Sequence, residues 1–142
     1  MIKILGWETK LNDYFNVCAE RKFEYGVFDC ALFMADGVKI MTGIDPAEDF
    51  RKRYFGRSGA LNALDFMGYI DLKNAAHILA KKYNIISVMP SFAKRGDISL
   101  VKNYKGFALG LVDLSGMRIA TVTKNGLDFL PMDRGEMFWS IE

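Results

Sequence analysis

The sequence is poor in the residue types that build metal, disulfide and general-base sites. Its 142 residues include one histidine, two cysteines and three prolines. Two cysteines, Cys18 and Cys30, do not make a disulfide framework. Together with one histidine they cannot supply the clustered ligands that zinc requires. We therefore expect no metal site and no cofactor.

Long apolar runs and an excess of one charge are also lacking. No stretch approaches the roughly 20 apolar residues of a membrane helix, and the start, Met1 to Glu8, has too short an apolar run for a secretory signal. The 19 basic and 17 acidic side chains leave a net charge of +2, which does not demand nucleic acid as a partner. We expect a chain without a membrane span that stays in the cytosol or leaves by a route needing no signal peptide.

Apolar residues make up 51% of the chain, enough for one core, and their spacing changes from helical to strand-like along the sequence. The pattern predicts helices at 7–21, 30–41, 46–54, 58–67 and 72–83, and strands at 85–88, 97–101, 107–112, 118–123, 127–130 and 137–141. Helices followed by closely spaced strands indicate an α+β fold with an antiparallel sheet. No linker divides the two halves, so we expect a single domain over residues 1–142.

Cys30 is the residue whose position is most informative for chemistry. Asp29 is a good N-cap for the helix that Cys30 begins. Unpaired amides and the helix dipole at such a position stabilise an anion, which lowers the pKa of a thiol and makes it a nucleophile. The neighbouring Asp29 carboxylate works against a thiolate. The alternative for Cys30, and the interpretation we adopt for Cys18, is a buried cysteine that only packs.

Three motifs in this order resemble those of NlpC-type cell-wall peptidases. The run Tyr25-Gly26-Val27-Phe28-Asp29-Cys30 resembles the Gly-x-x-Asp-Cys helix start of that superfamily. Arg95-Gly96-Asp97 resembles its Pro-Gly-Asp strand start, and Ala108-Leu109-Gly110-Leu111 resembles its His-Val-Gly-Ile strand. The longer stretch from Asp29 through Tyr54 is similar to an uncharacterised branch found mostly in phage and prophage genomes, among tail genes.

The resemblance implies a papain-like fold, with a helical N-terminal half packed on an antiparallel sheet, open or barrel-like, of five or six strands. In that superfamily a cysteine at a helix start faces a histidine on the sheet. Here Cys30 keeps the nucleophile position, with Asp29 beside it as the cap. Ala108 stands at the histidine position, and Ala120 stands near the third, polar position. A methyl group can neither accept a proton nor orient an imidazole, so the implied site is degenerate.

Other side chains offer poor substitutes for the missing base. The one histidine, His77, aligns with Lys73 and Lys81 on the polar side of its predicted helix, so we expect it to face solvent. Thr121, Thr123 and Asp113 fall near the right strands. A threonine hydroxyl is a poor base, and an aspartate could serve only where geometry and pKa allow.

A basic, aromatic segment at 51–57 is the main candidate for an interaction surface. We expect pairs such as Glu48 with Lys52 and Asp49 with Arg53 to make it a solvated, self-paired helical face. A protein contact comes next and nucleic acid third. The interaction candidates are Arg51, Arg53, Tyr54, Arg57 and, if it is exposed, Trp139.

The sequence is compatible with three functions. The first is a phage or prophage tail protein, in the tail tip or baseplate, that uses the peptidase fold for contacts with other tail proteins, in the virion or in the host cytoplasm during assembly. The second is a cysteine hydrolase that acts on peptidoglycan peptides through Cys30. The third, least favoured, is a nucleic-acid-binding module.

Overall fold

The computed structural model describes residues 1–66, 71–104 and 106–142, and in them four helices precede six strands. The helices are α1 (Trp7–Cys18), α2 (Cys30–Thr42), α3 (Gly56–Phe66) and α4 (Leu72–Lys82). The strands are β1 (Ile86–Val88), β2 (Ile98–Asn103), β3 (Gly106–Val112), β4 (Arg118–Thr123), β5 (Gly126–Pro131) and β6 (Gly135–Ser140). The α+β class predicted from the sequence is confirmed.

The best-specified element is α2, because both of its ends have strong local signals. The Asp29 carboxylate accepts a hydrogen bond from the Leu32 amide, and Gly43 ends the helix in the left-handed conformation at φ 79°. Seven of its 13 residues are buried, so the helix is covered on most sides, as its apolar composition predicts.

All six strands form one sheet in the order β1-β6-β2-β3-β4-β5, and every neighbouring pair is antiparallel. The Asn-Gly sequence at 125–126 lies at the short hairpin between β4 and β5, where Lys124 and Asn125 form the turn and Gly126 begins β5. The sheet is open, with β1 and β5 as its edges. Val88 of β1 and Leu130 of β5 extend one apolar cluster across the sheet, because they pair with Phe138 of β6 and Ile119 of β4.

The two faces of the sheet carry separate apolar clusters. One face packs against the helices, and the main core there includes Leu11, Phe15, Cys18, Phe33, Val38, Leu100, Leu109, Leu111, Ala120 and Trp139. The opposite face carries Val101, Val112, Ile119 and Phe138. Side chains alternate between the faces along each strand, so neighbouring positions of β3 belong to different clusters.

Residues 46–54 form turns, so the helix predicted there is wrong. The Asp45 carboxylate accepts the Ala47 amide at 2.9 Å and also pairs with Arg51, and Lys52 lies in the left-handed region at φ 61°. These contacts hold the segment in turns.

Several predicted ends of elements also shift. The first helix ends at Cys18 rather than at residue 21, and the third begins at Gly56 rather than at residue 58. The predicted end at Met67 lies outside the described residues. Among those residues, no helix combines the length and the apolar character that a membrane crossing requires.

Asp97 ties the two ends of the described chain to the sheet. Its side chain is fully buried, and it accepts hydrogen bonds from the amides of Lys94 at 2.8 Å and Ile141 at 3.1 Å. The Lys3 ammonium lies 4.0 Å from the same carboxylate and donates to the Ile141 carbonyl. Burial lowers the pKa of Lys3, and Asp97 opposes that shift.

We expect Asp97→Ala to lower the free energy of unfolding by about 3 kcal/mol, because it removes the acceptor of the buried Ile141 amide and of the Lys94 amide, and the carboxylate that pairs with the Lys3 ammonium. Urea unfolding followed by circular dichroism measures the loss. The control is Asp128→Ala, because Asp128 is exposed and should change stability by less than about 0.5 kcal/mol. Equal effects of the two substitutions would contradict this role for Asp97.

Candidate functional site

Cys30 lies at the first position of α2, with its thiol facing β3. The amides of Leu109, Ala31 and Cys30 itself are directed at the sulfur and favour its anionic form. The helix start and the adjoining strand therefore provide a small group of N–H donors around the thiol, the arrangement expected of a nucleophile position.

Asp29 organises the entrance to α2 through three hydrogen bonds. One carboxylate oxygen accepts the Leu32 amide at 2.9 Å. The other accepts the Gly26 amide at 2.9 Å and the Tyr54 hydroxyl at 2.5 Å. Gly26 has a φ of 81°, and a Cβ there would stand 2.1 Å from the Tyr54 carbonyl oxygen, so a side chain at position 26 would collide with backbone.

The electrostatics of this site favour a neutral thiol. Burial raises the pKa of Cys30 to about 11, and the Asp29 carboxylate adds to the shift against the opposing amides. Burial and Asp29 also raise the pKa of Tyr54. At neutral pH the group is therefore a thiol and a phenol next to one carboxylate, and the thiolate that a nucleophile requires is scarce.

The structure separates the two positions that the resemblance assigns to the lost catalytic partners. Ala120 lies on the helix side of the sheet, in the same core as Leu109. Ala108 packs against the cluster on the other face. A histidine at position 108 of this backbone would point away from Cys30. On β3 the positions that share the helix-side face are Phe107, Leu109 and Leu111.

The other candidate bases are engaged elsewhere. His77 is exposed, as predicted, and its ring meets Trp139 edge-on at 5.6 Å. Trp139 belongs to β6, which β2 separates from β3. The buried Asp113 carboxylate pairs with Arg118 at 2.8 Å and accepts the Ser115 hydroxyl, while the Thr121 hydroxyl donates to the Leu109 carbonyl at 2.8 Å.

The interaction candidates divide into two groups. Tyr54 and Trp139 are buried, with 9% and 3% of their surface exposed, so neither can reach a partner in this conformation. Arg51 is half-buried and bridges Asp36 and Asp45, which raises the pKa of its guanidinium and lowers the pKa of Asp45. Arg53 and Arg57 are exposed.

The pairing predicted for the basic segment is wrong in part. Asp49 pairs with Lys82 on α4 at 3.1 Å instead of with Arg53, and the described residues show no ion pair between Glu48 and Lys52. The sequence alone did not indicate the tie between Asp29 and Tyr54, because it joins residues 25 positions apart.

A family model described as a domain of unknown function (DUF6950) matches residues 3–141. The chain belongs to the DUF6950 family. No protein with a curated description matches it. The match spans every element of the fold, so Cys30, Asp29 and Tyr54 all lie inside the DUF6950 domain.

We expect Tyr54→Phe to lower the free energy of unfolding by about 2 kcal/mol, because it removes a buried hydroxyl donor from a carboxylate. The matched control is Tyr25→Phe. Tyr25 is half-buried, and its ring packs edge-on against that of Phe23, with 4.8 Å between the ring centroids. Loss of the Tyr25 hydroxyl should lower the free energy of unfolding by less than about 0.5 kcal/mol. Thermal or urea unfolding measures both, and equal losses would contradict the proposed tie.

We expect Cys30 to react slowly with iodoacetamide at neutral pH. A pKa of about 11 in place of 9.0 leaves about 100-fold less thiolate, so the rate should be about 100-fold below that of an ordinary thiol and should rise up to about pH 11. Peptide mapping by mass spectrometry separates Cys30 from Cys18, which is fully buried and serves as the internal control. A Cys30 rate that levels off below pH 8 would contradict the neutral thiol.

Proposed function

We propose that this DUF6950 chain is a phage or prophage tail-associated structural or assembly protein. It uses a catalytically degenerate, papain-like NlpC-type fold to make contacts with other tail or baseplate proteins. The observation that supports a non-catalytic role is the state of Cys30, a thiol with a raised pKa and no imidazole on the facing strand. The tail assignment itself is supported by the sequence resemblance.

The arrangement of β3 adds a second line of support for lost catalysis. Phe107, Leu109 and Leu111 occupy the strand positions that share a face with Cys30, and all three are apolar. Catalysis by a cysteine requires a base within about 3 Å of the thiol, directly or through one water. A pair of the Cys30 thiol and a base would need at least one substitution on the helix-side face of β3.

A cysteine hydrolase acting on peptidoglycan peptides is the second candidate. The observation that favours it is the set of three backbone amides directed at the Cys30 sulfur, because such donors also stabilise an oxyanion in acyl transfer. The raised pKa of Cys30 opposes the hydrolase, because these amides do not offset the effects of burial and Asp29 on that pKa.

Nucleic-acid binding has less support, since Arg51 is already neutralised by two aspartates.

A deletion and complementation experiment tests the proposal. The gene is deleted from the phage or prophage that carries it, and particles are produced with the wild-type chain or with Cys30→Ala. We expect deletion to leave tails absent or defective. We expect Cys30→Ala to restore infectious particles to within about twofold, because the substitution removes only a small thiol.

Purified wild-type protein incubated with peptidoglycan gives the second measurement. We expect no release of stem peptides. Release that Cys30→Ala abolishes would overturn the non-catalytic role and establish the hydrolase. Particles that assemble and infect normally without the gene would overturn the tail assignment, while a folded Cys30→Ala chain that fails to complement would contradict the contact role.

A further inference from the structure

A short basic segment next to Tyr54 exposes an apolar side chain between two unpaired cations. Phe55 has 71% of its surface exposed. Arg53 and Arg57 flank it at two residues on either side, and both are exposed. Within the described part of the chain neither arginine has an ion-pair partner. We call Arg53, Phe55 and Arg57 the basic patch.

The basic patch is left unpaired because the nearby acids are already used. Arg51 takes both Asp36 and Asp45, and Lys82 takes Asp49. The turns at 46–54 therefore direct the positive charge of this segment outward.

The outer side of α1 has the opposite arrangement. Val17 has 64% of its surface exposed, and Asp13 and Glu20 lie four residues before and three residues after it. Asp13 and Val17, four residues apart, share one face of α1, and Glu20 lies in the turn that follows the helix end at Cys18, where its amide donates to the Val17 carbonyl. Both carboxylates are exposed, and no described residue pairs with either. We call Asp13, Val17 and Glu20 the acidic patch.

The two patches complement each other in charge, in apolar content and in span. Each presents one exposed apolar side chain between two like charges, and the signs are opposite. Asp13 lies about 7 Å along α1 from the helix end at Cys18, and Glu20 follows in the next turn, while four residues separate the basic charges by at most about 14 Å. Lys10 and Lys22 lie beyond the two ends of the acidic patch, so a contact must centre on Val17.

We propose that the basic patch of one copy of this chain binds the acidic patch of a second copy, head to tail. The occupant is a second copy because the same chain exposes both complementary surfaces and pairs neither of them internally. A nucleic acid would use the basic patch only and would be repelled by the acidic one. A contact between two different surfaces repeats from copy to copy, and it produces a ring if the rotation closes or a chain if it does not.

This inference rests on the proposed contact role and names one partner for it. Sedimentation analysis of the purified chain tests it. We expect masses that are multiples of 16.1 kDa, and association that weakens as salt rises from about 0.05 M to about 0.5 M, since exposed charges are screened over that range.

Charge reversal gives the decisive test. Arg53→Glu with Arg57→Glu makes both patches acidic, and Asp13→Lys with Glu20→Lys makes both basic. Each double variant alone should associate at least about tenfold more weakly than wild type, because its patches now repel. An equimolar mixture of the two should associate again, because every contact between unlike copies then joins opposite charges.

Phe55→Ala provides a variant that changes no charge, and it should weaken association at every salt concentration. Circular dichroism of all variants checks folding, which these exposed positions should leave intact. A wild-type protein that remains monomeric at concentrations up to about 1 mM would overturn the inference. Such a result would mean that the free energy of association is weaker than about −4 kcal/mol. Double variants that associate like wild type, or a mixture that stays monomeric, would also overturn it. Each of these results leaves the tail assignment standing if purified particles still contain the chain.

Discussion

The hydrogen bonds of the Asp29 carboxylate are the interaction on which the candidate site depends. One oxygen begins α2, and the other holds the Gly26 turn and the Tyr54 hydroxyl against it. The turn before α2, the first turn of α2 and the distant Tyr54 thus meet at one buried side chain. A buried carboxylate is costly unless its lone pairs are filled, and here the donors come from three different elements, so the loop before α2 and the turns before α3 are fixed together.

Burial and the same carboxylate together raise the pKa of the thiol beside it. A helix start stabilises an anion by about 0.3–1 kcal/mol, and by up to about 2 kcal/mol where it is partly buried. A shift of the Cys30 pKa from 9.0 to about 11 corresponds to roughly 3 kcal/mol against the thiolate. Burial together with Asp29 therefore exceeds the combined effect of the helix start and the three amides. An imidazolium on the facing strand would oppose this balance, and the β3 positions available for one carry Phe107 and Leu109.

Much of the fold could be predicted because its signals are local. Asp29 and Gly43 specify the two ends of α2, and Asn125-Gly126 specifies the β4–β5 hairpin. The turns in the segment around Arg51 could not be predicted from local signals, since Arg51 pairs with Asp36 on α2, 15 residues away. In the site, the position of Cys30 followed from its cap. The face of the sheet on which Ala108 lies could not be predicted. Both faces of β3 are apolar, so its sequence shows no alternation of apolar and polar residues that would identify the buried side.

The two apolar faces of the sheet also limit the positions at which a base for Cys30 could be introduced. On β3, Gly110 separates Leu109 from Leu111, and a Cβ at Gly110 would stand 2.5 Å from the Ala120 carbonyl oxygen. The strand therefore cannot accept a side chain at that position without moving β4, and a shift of register by one residue would exchange the two clusters. Packing on both faces fixes which β3 residues face α2. A base for Cys30 must accordingly arise by substitution on the existing helix-side positions, and the apolar side chains there already contribute to the main core. Introducing a base at one of these positions would therefore cost core packing.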